Sequence, residues 1–359
     1  MRFLHRLSGG LLLVLLCSGC TCRGPRIRPD DGSRERPCFA NPVLPAGSSP
    51  CLVSALGRYY YLQSSYTRIS IWSAESIAGL KDSPDHPVYV PGEKYYISAP
   101  QMVSLDGKWY IYYSCEGLDM SSRQIHVLEN ASADPLEGEF VHKAVLRTGG
   151  GKAVHPFPFS HRGRRYLLWS DADESGGIIT RNCICIAEME TPWRLSSRRR
   201  TILGPRFEWE CQWKSDNYPA KSTPTYVNEA PVVIPSRDSS KLLLYFAASQ
   251  TYTPYYCEGL AWAEAGDDPT DSRSWHKLSE PVFGSDDAAQ AFGAGHLSFY
   301  RDADDSLYFL YQAYSGRTLN RLEDRSPRMQ RATWGADGLP VLGKPLSLET
   351  EVEEPRLRQ

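Results

Sequence analysis

The chain has 359 residues and a formal net charge of -2. Length alone allows one large domain or two small ones, and the near-neutral balance argues against a nucleic-acid partner. Aromatic residues make up 11%, with 21 Tyr and 9 Trp, which suits sheets packed face to face and also suits contact with sugar rings.

At the N-terminus Arg2, His5 and Arg6 form a short basic region. Leu11 to Leu16 form an apolar run too short to span a bilayer, and Ser18, Gly19 and Cys20 follow. This is the pattern of a signal peptide over 1–19. Gly19 directly before Cys20 is similar to a bacterial lipobox, in which that Cys is acylated; Cys17 stands where Leu is usual. The expectation is an exported, cell-envelope lipoprotein anchored through Cys20, on the outer membrane in a Gram-negative cell, with plain cleavage and secretion as the alternative. Residues 20–38 are rich in Arg, Pro, Gly and Asp and read as a flexible tether. The chain holds ten cysteines, and in an exported protein these predict disulfides whose pairing the sequence does not give.

From residue 39 to 350 one unit recurs five times: a short strand, a turn, and a Tyr- and Leu-rich strand. The first copy is Ser49-Pro50-Cys51-Leu52-Val53 leading to Tyr59-Tyr60-Tyr61-Leu62. The second runs from Ala99-Pro100-Gln101 through Asp106-Gly107-Lys108 to Trp109-Tyr110-Ile111-Tyr112-Tyr113. The third runs from His155-Pro156-Phe157 to Tyr166-Leu167-Leu168-Trp169. The fourth is Glu229-Ala230-Pro231 to Leu242-Leu243-Leu244-Tyr245-Phe246, and the fifth His296-Leu297-Ser298-Phe299 to Leu307-Tyr308-Phe309-Leu310-Tyr311. A third apolar strand is predicted after each, the last one at Arg331-Thr333-Trp334. Tight Gly and Asp turns mark hairpins, and no stretch holds a helical period. Five such sheets predict an all-β, five-bladed β-propeller. Residues 351–359 read as a charged C-terminal tail.

In a propeller the first strand of each copy lies innermost, so Ser49, Gln101, His155, Glu229 and His296 are predicted to line a central funnel. Trp209, in the loop Phe207-Glu208-Trp209-Glu210, is a candidate wall of a sugar subsite, with core packing as the alternative.

Several stretches carry a family resemblance. They are Asp106-Gly107-Lys108-Trp109-Tyr110, Val227-Asn228-Glu229-Ala230-Pro231, Pro281-Val282-Phe283 and Gly295-His296-Leu297-Ser298-Phe299. In this order and spacing the chain resembles the glycoside hydrolases of family 43, closest to their arabinofuranosidase-like branch. The resemblance implies a plant or microbial polysaccharide or oligosaccharide as partner, arabinose- or xylose-containing linkages, no required cofactor, and a monomer. It implies inversion by a general acid and a carboxylate base about 6.5–9.5 Å apart, with a further Asp tuning the acid. Glu229 matches the acid. His296 matches a residue at the propeller axis, where the resemblance places a calcium ion or a water. Ser49 stands at the base position, His155 at the tuning position, and Gln101 where Glu is usual after Ala-Pro. Neither inner strand offers a nearby carboxylate, so His155, or Asp171 or Asp173 from a loop, are the candidate substitutes for the base. Two functions stay open: hydrolysis with a rebuilt base, or glycan binding by a pocket that has lost the reaction. A structural lipoprotein without a sugar site is the third and weakest reading.

Overall fold

The computed structural model describes residues 36–358 except 66, 93–94, 118–122, 176–177, 213–224, 318–320 and 322–323. The signal peptide, Cys20 and nearly all of the tether therefore lie outside the described residues. No helix among the described residues is long and apolar enough to cross a membrane.

Five antiparallel sheets follow one another along the chain. Their innermost strands are Cys51–Ala55, Tyr95–Leu105, Lys152–His161, Thr225–Pro235 and Phe292–Arg301. Each inner strand pairs with the Tyr- and Leu-rich strand after it, and that strand pairs with a third. Short parallel pairings, Lys152 with Arg123, and Arg181 and Asn182 with Tyr226 and Val227, join the second, third and fourth sheets near the axis.

The central segments of the middle strands, such as Tyr166-Leu167-Leu168-Trp169, are apolar because both of their faces are buried between blades. Side chains alternate with period two, and in blade two Trp109, Ile111 and Tyr113 pack toward blade one while Tyr110 and Tyr112 pack toward blade three. Blade three repeats this with Leu167 and Trp169 on one side and Tyr166 and Leu168 on the other. Leu244 and Phe246 of blade four meet blade three, and Leu243 and Tyr245 meet blade five. Tyr308 and Leu310 of blade five then pack on Tyr59 and Tyr61 of blade one. Five apolar seams thus run around the ring and back to the start, which is the five-bladed propeller expected from the repeats.

The N-terminal segment closes the ring. Val43 N donates to Pro327 O and Gly47 N to Arg325 O, both at 2.8 Å. Asn41, buried, receives Met329 N at 2.8 Å and donates to Met329 O at 2.9 Å. Cys38–Ala40 pairs with Glu351–Glu353, and the Glu354 carboxylate accepts Ile77 N and Ala78 N at 2.8 Å each. The last residues are therefore part of the propeller, which corrects the expected boundaries at 39 and 350 and the reading of 351–359 as a separate tail.

Two further expectations change. The third strand of blade five is Arg325–Arg331, a polar run one turn earlier than the apolar segment that was expected. Cys51, Cys115, Cys185, Cys211 and Cys257 are buried thiols outside any disulfide; Cys51, Cys115, Cys185 and Cys257 pack within apolar seams, and Cys211 lines a groove with Trp209.

Replacing Asn41 with Ala removes two buried hydrogen bonds and leaves Met329's peptide groups unpaired. Chemical denaturation is expected to show a loss of about 2–3 kcal/mol with the far-UV spectrum retained. A loss within experimental error would show that the N-terminal segment is not what closes the ring.

Candidate functional site

Each inner strand enters the funnel through the same distortion. Ser49, Ala99, His155, Ala230 and His296 all have positive φ, between 49° and 59°, a region that costs free energy for residues other than Gly. In blades two to five the strand register slips at this point, as it does at a β-bulge. The displaced amide is caught by a buried side chain of the preceding blade. Ser49 N donates to Gln312 Oε1 at 2.9 Å, His155 N to Ser114 Oγ at 3.2 Å, and Ala230 N to Ser170 Oγ at 3.0 Å. His296 N donates to the Glu258 carboxyl.

The bulges aim their residues at one axial cavity of about 260 Å³. Ser49, His155, Glu229 and His296 all line it. The Glu229 carboxyl accepts the Tyr256 hydroxyl at 3.1 Å and Asn182 Nδ2 at 3.4 Å. Loss of hydration pushes its pKa up to about 6 against those two hydrogen bonds. Gly295 is what lets Tyr256 come so close, since a Cβ there would lie 2.9 Å from the Tyr256 ring and 3.0 Å from Glu258 Oε1. Behind the cavity Glu258 is fully buried, and burial pushes its carboxyl well above the usual range.

The two histidines meet edge to face with ring centroids 5.0 Å apart. Burial lowers both, His296 to about 3, with Arg325 adding to the effect on each and Arg123 to that on His155. Both imidazoles are neutral near pH 7. No group of three or more His, Cys, Asp or Glu side chains converges among the described residues. Calcium takes six to eight oxygen ligands, waters and carbonyls included, so an ion beside His296 would draw most of its ligands from water.

Three other expectations are corrected. Gln101 lies two residues beyond Ala99, back in the ladder opposite Tyr112, and Ser98 and Ala99 line the cavity instead. Trp209 lines a separate outer groove of about 1240 Å³. The neighbouring Glu210 is fully buried in an ion pair with Lys277 and accepts Asn228 Nδ2 at 2.9 Å. That anchor turns Trp209 onto Phe246, against which it stacks at 6.2 Å. Asp171 is no substitute base: it is held by Arg199 Nη1 at 2.6 Å and by Gly151 N at 3.1 Å, away from the cavity. The side chain of Asp173 lies outside the described residues. Among the described residues lining the cavity, Glu229 is the single carboxyl.

Sequence reasoning missed Arg123, Lys152, Asn182, Tyr256, Gln312 and Arg325, all cavity residues. They sit at the axial ends of strands or in a loop, Lys152 at the start of an inner strand and the others on second and third strands or in a loop. An alternation rule places such residues on a blade face and gives no signal for an end that opens on the axis.

The fold is a propeller whose polar axial cavity holds one described carboxyl, Glu229. The comparisons make this specific. The profile of the glycosyl hydrolases family 43 matches residues 39–340, and the chain belongs to that family. An extracellular exo-alpha-(1->5)-L-arabinofuranosidase of Streptomyces avermitilis is 30% identical over 325 residues, covering 86% of this chain and 64% of the relative. One of the same name from Streptomyces chartreusis is 29% identical over 270 residues, covering 73% and 77%. The crystal structure of an alpha-L-arabinofuranosidase from Lactobacillus brevis superposes with a TM-score of 0.77 at 25% identity, covering 87% of this chain and 98% of that one. A thermostable family-43 glycoside hydrolase gives 0.71 at 23% identity, covering 89% and 99%, a likeness of fold.

The Glu229 carboxyl is expected to titrate with a midpoint near 6, read by carbon NMR of labelled Glu. It is neutral below that pH and charged above it, so any acid role fades as pH rises through 6. Tyr256→Phe removes a donor that favours the charged form and should move the midpoint up. A midpoint near the ordinary Glu value in the wild type would contradict the buried environment assigned to it.

Proposed function

We propose that the axial cavity receives a sugar unit of an arabinose- or xylose-containing glycan and that the chain binds this glycan far better than it cleaves it. One observation carries the reading. Glu229 is the single carboxyl among the described cavity residues, and by the family resemblance Ser49 and His155 stand at the positions where an inverting mechanism requires carboxylates. A serine hydroxyl does not accept a proton from water at neutral pH without a partner. The bond from Ser49 to Gln312 is made by the backbone amide and does not activate the hydroxyl. His155 is a poor substitute because its surroundings depress its basicity. General-base catalysis is worth ~10²–10⁴-fold, and that contribution is missing here.

One observation favours residual hydrolysis as the second reading: Glu229 keeps the raised pKa that suits a general acid near neutral pH. The N-terminal pattern supports export, as does the word extracellular in the names of two relatives, and Cys20 supplies a lipid anchor in this reading. The Streptomyces avermitilis relative is longer than this chain, which spans 64% of it, so activity and substrate are transferred only as part of this proposal.

Positive φ is tolerated by Asp better than by most residues, so Ser49→Asp and His155→Asp are compatible with their bulges. On aryl α-L-arabinofuranoside and aryl β-xyloside the wild type is expected to be near background. The double Asp variant should gain about 100-fold or more, and adding Glu229→Gln should abolish the gain. Robust wild-type turnover that Glu229→Gln removes would overturn the binding reading in favour of hydrolysis.

A further inference from the structure

The outer groove that Trp209 lines is far larger than the axial cavity, about 1240 Å³ against about 260 Å³, and the two are neighbours in the fold. Across blade four Glu229 pairs with Ala247, Ala247 with Glu258, and Glu258 with Phe283. Phe283 lines the groove, and three strand spacings place its backbone about 14 Å from that of Glu229. One loop serves both spaces. Its Thr251, Tyr252 and Tyr256 line the cavity, while Pro254, Tyr255 and Cys257 line the groove.

The chain segments that form the groove are tied to one another. Trp209 Nε1 donates to Ser279 O at 2.8 Å, and Ser285 Oγ donates to Pro254 O at 2.6 Å. Glu258 N donates to Phe283 O and Val282 N to Glu258 O, both at 2.8 Å. Gly259 leaves room for this closure, since a Cβ there would meet the Trp209 ring at 2.8 Å. A groove shaped before its ligand arrives lowers the ordering cost of binding. Its lining is mixed. Phe207, Val282 and Phe283 are apolar, Tyr255 is 57% exposed, and Glu208 and Glu280 are exposed carboxylates. Lys344, which also lines it, is paired with Asp286 at 3.1 Å.

A sugar chain has the same mixed character. Its C–H faces pack on aromatic rings. Its hydroxyls donate to carboxylates in charge-assisted hydrogen bonds, roughly twice as strong as neutral ones. An acidic chain would meet two like charges at Glu208 and Glu280, so the groove suits a neutral one.

We propose that the groove holds the backbone of a neutral glycan, one unit of which occupies the axial cavity, with Tyr255 as the platform beneath it and Glu208 and Glu280 accepting its hydroxyls. This rests on the glycan-binding reading above and deepens it: the protein selects chains over single pentoses.

Calorimetric titration of the purified protein tests it with length series of neutral arabino- and xylo-oligosaccharides, each starting from the methyl pentoside. Affinity is expected to rise about tenfold or more along at least one series, the worth of one aromatic contact in a binding site. Tyr255→Ala should remove that rise, and Glu208→Ala combined with Glu280→Ala should reduce it. These changes fall on exposed side chains, and melting temperatures report whether the variants fold. Equal affinity at every length overturns the groove inference and leaves the cavity reading standing. A rise that survives unchanged in all these variants overturns the placement of the chain. A dimer seen by light scattering and dissolved by Tyr255→Ala would mean that a second copy covers the groove, and also overturns the inference. Binding of no member of either series overturns both readings.

Discussion

The site depends on a strained backbone turn held across the blade boundary. Five residues at the axial ends of the inner strands sit at positive φ, and four of their amides are paid for by a side chain of the blade before: Gln312, Ser114, Ser170 and Glu258. Ser114, Ser170 and Glu258 show no exposure, and Gln312 shows 1%. A lone bulge of this kind would relax or slip. Tied to its neighbour, each fixes the next, and the cavity wall becomes a property of the closed ring and not of any one blade. Between blades one and two the corresponding bond is Met102 N to Cys51 Sγ at 3.3 Å.

This arrangement separates the scaffold from the chemistry. The catching side chains and the seams behind them set where a residue points, while the residue at the bulge decides what the cavity does. Ser49 and His155 therefore change the chemistry without disturbing the fold, since Ser, His and Asp all accept the turn at modest cost. Glu229 sits one residue before its bulge, beside Ala230, and its environment comes from Tyr256 and Asn182. In the proposed reading that environment keeps the acid half of an inverting pair, while Ser49 and His155 supply no carboxylate for the base half.

Much of this was legible in the sequence. Repeated middle strands such as Tyr59-Tyr60-Tyr61-Leu62 and Leu307-Tyr308-Phe309-Leu310-Tyr311 are apolar on both faces, a pattern that requires a neighbour on each side and so gives the ring. The Pro after four of the five turn residues marks the inner strands, and with them Ser49, His155 and Glu229. What stayed hidden follows from two effects. The bulge shifts the frame, so Gln101 leaves the cavity and Ala99 enters it. Buried charge also defeats an apolar search: the third strand of blade five was expected at Arg331-Thr333-Trp334, yet Arg325–Arg331 forms it, with Arg325 and Arg328 5% and 0% exposed and Arg325 lining the cavity. Trp209 was misplaced because nothing in its own loop reveals that Lys277, far along the chain, clamps Glu210 beside it.

The central claim is that this cavity holds a glycan without the means to hydrolyse it. Its most direct test is to incubate the protein with an equimolar arabinoxylan-derived oligosaccharide, separate bound from free sugar, and weigh both by mass spectrometry after a long interval. The account predicts an intact oligosaccharide in the bound fraction and no free pentose above the level given by Glu229→Gln. Pentose released in amounts exceeding the protein would contradict it, because a full catalytic cycle would then run in a cavity described here as lacking its base.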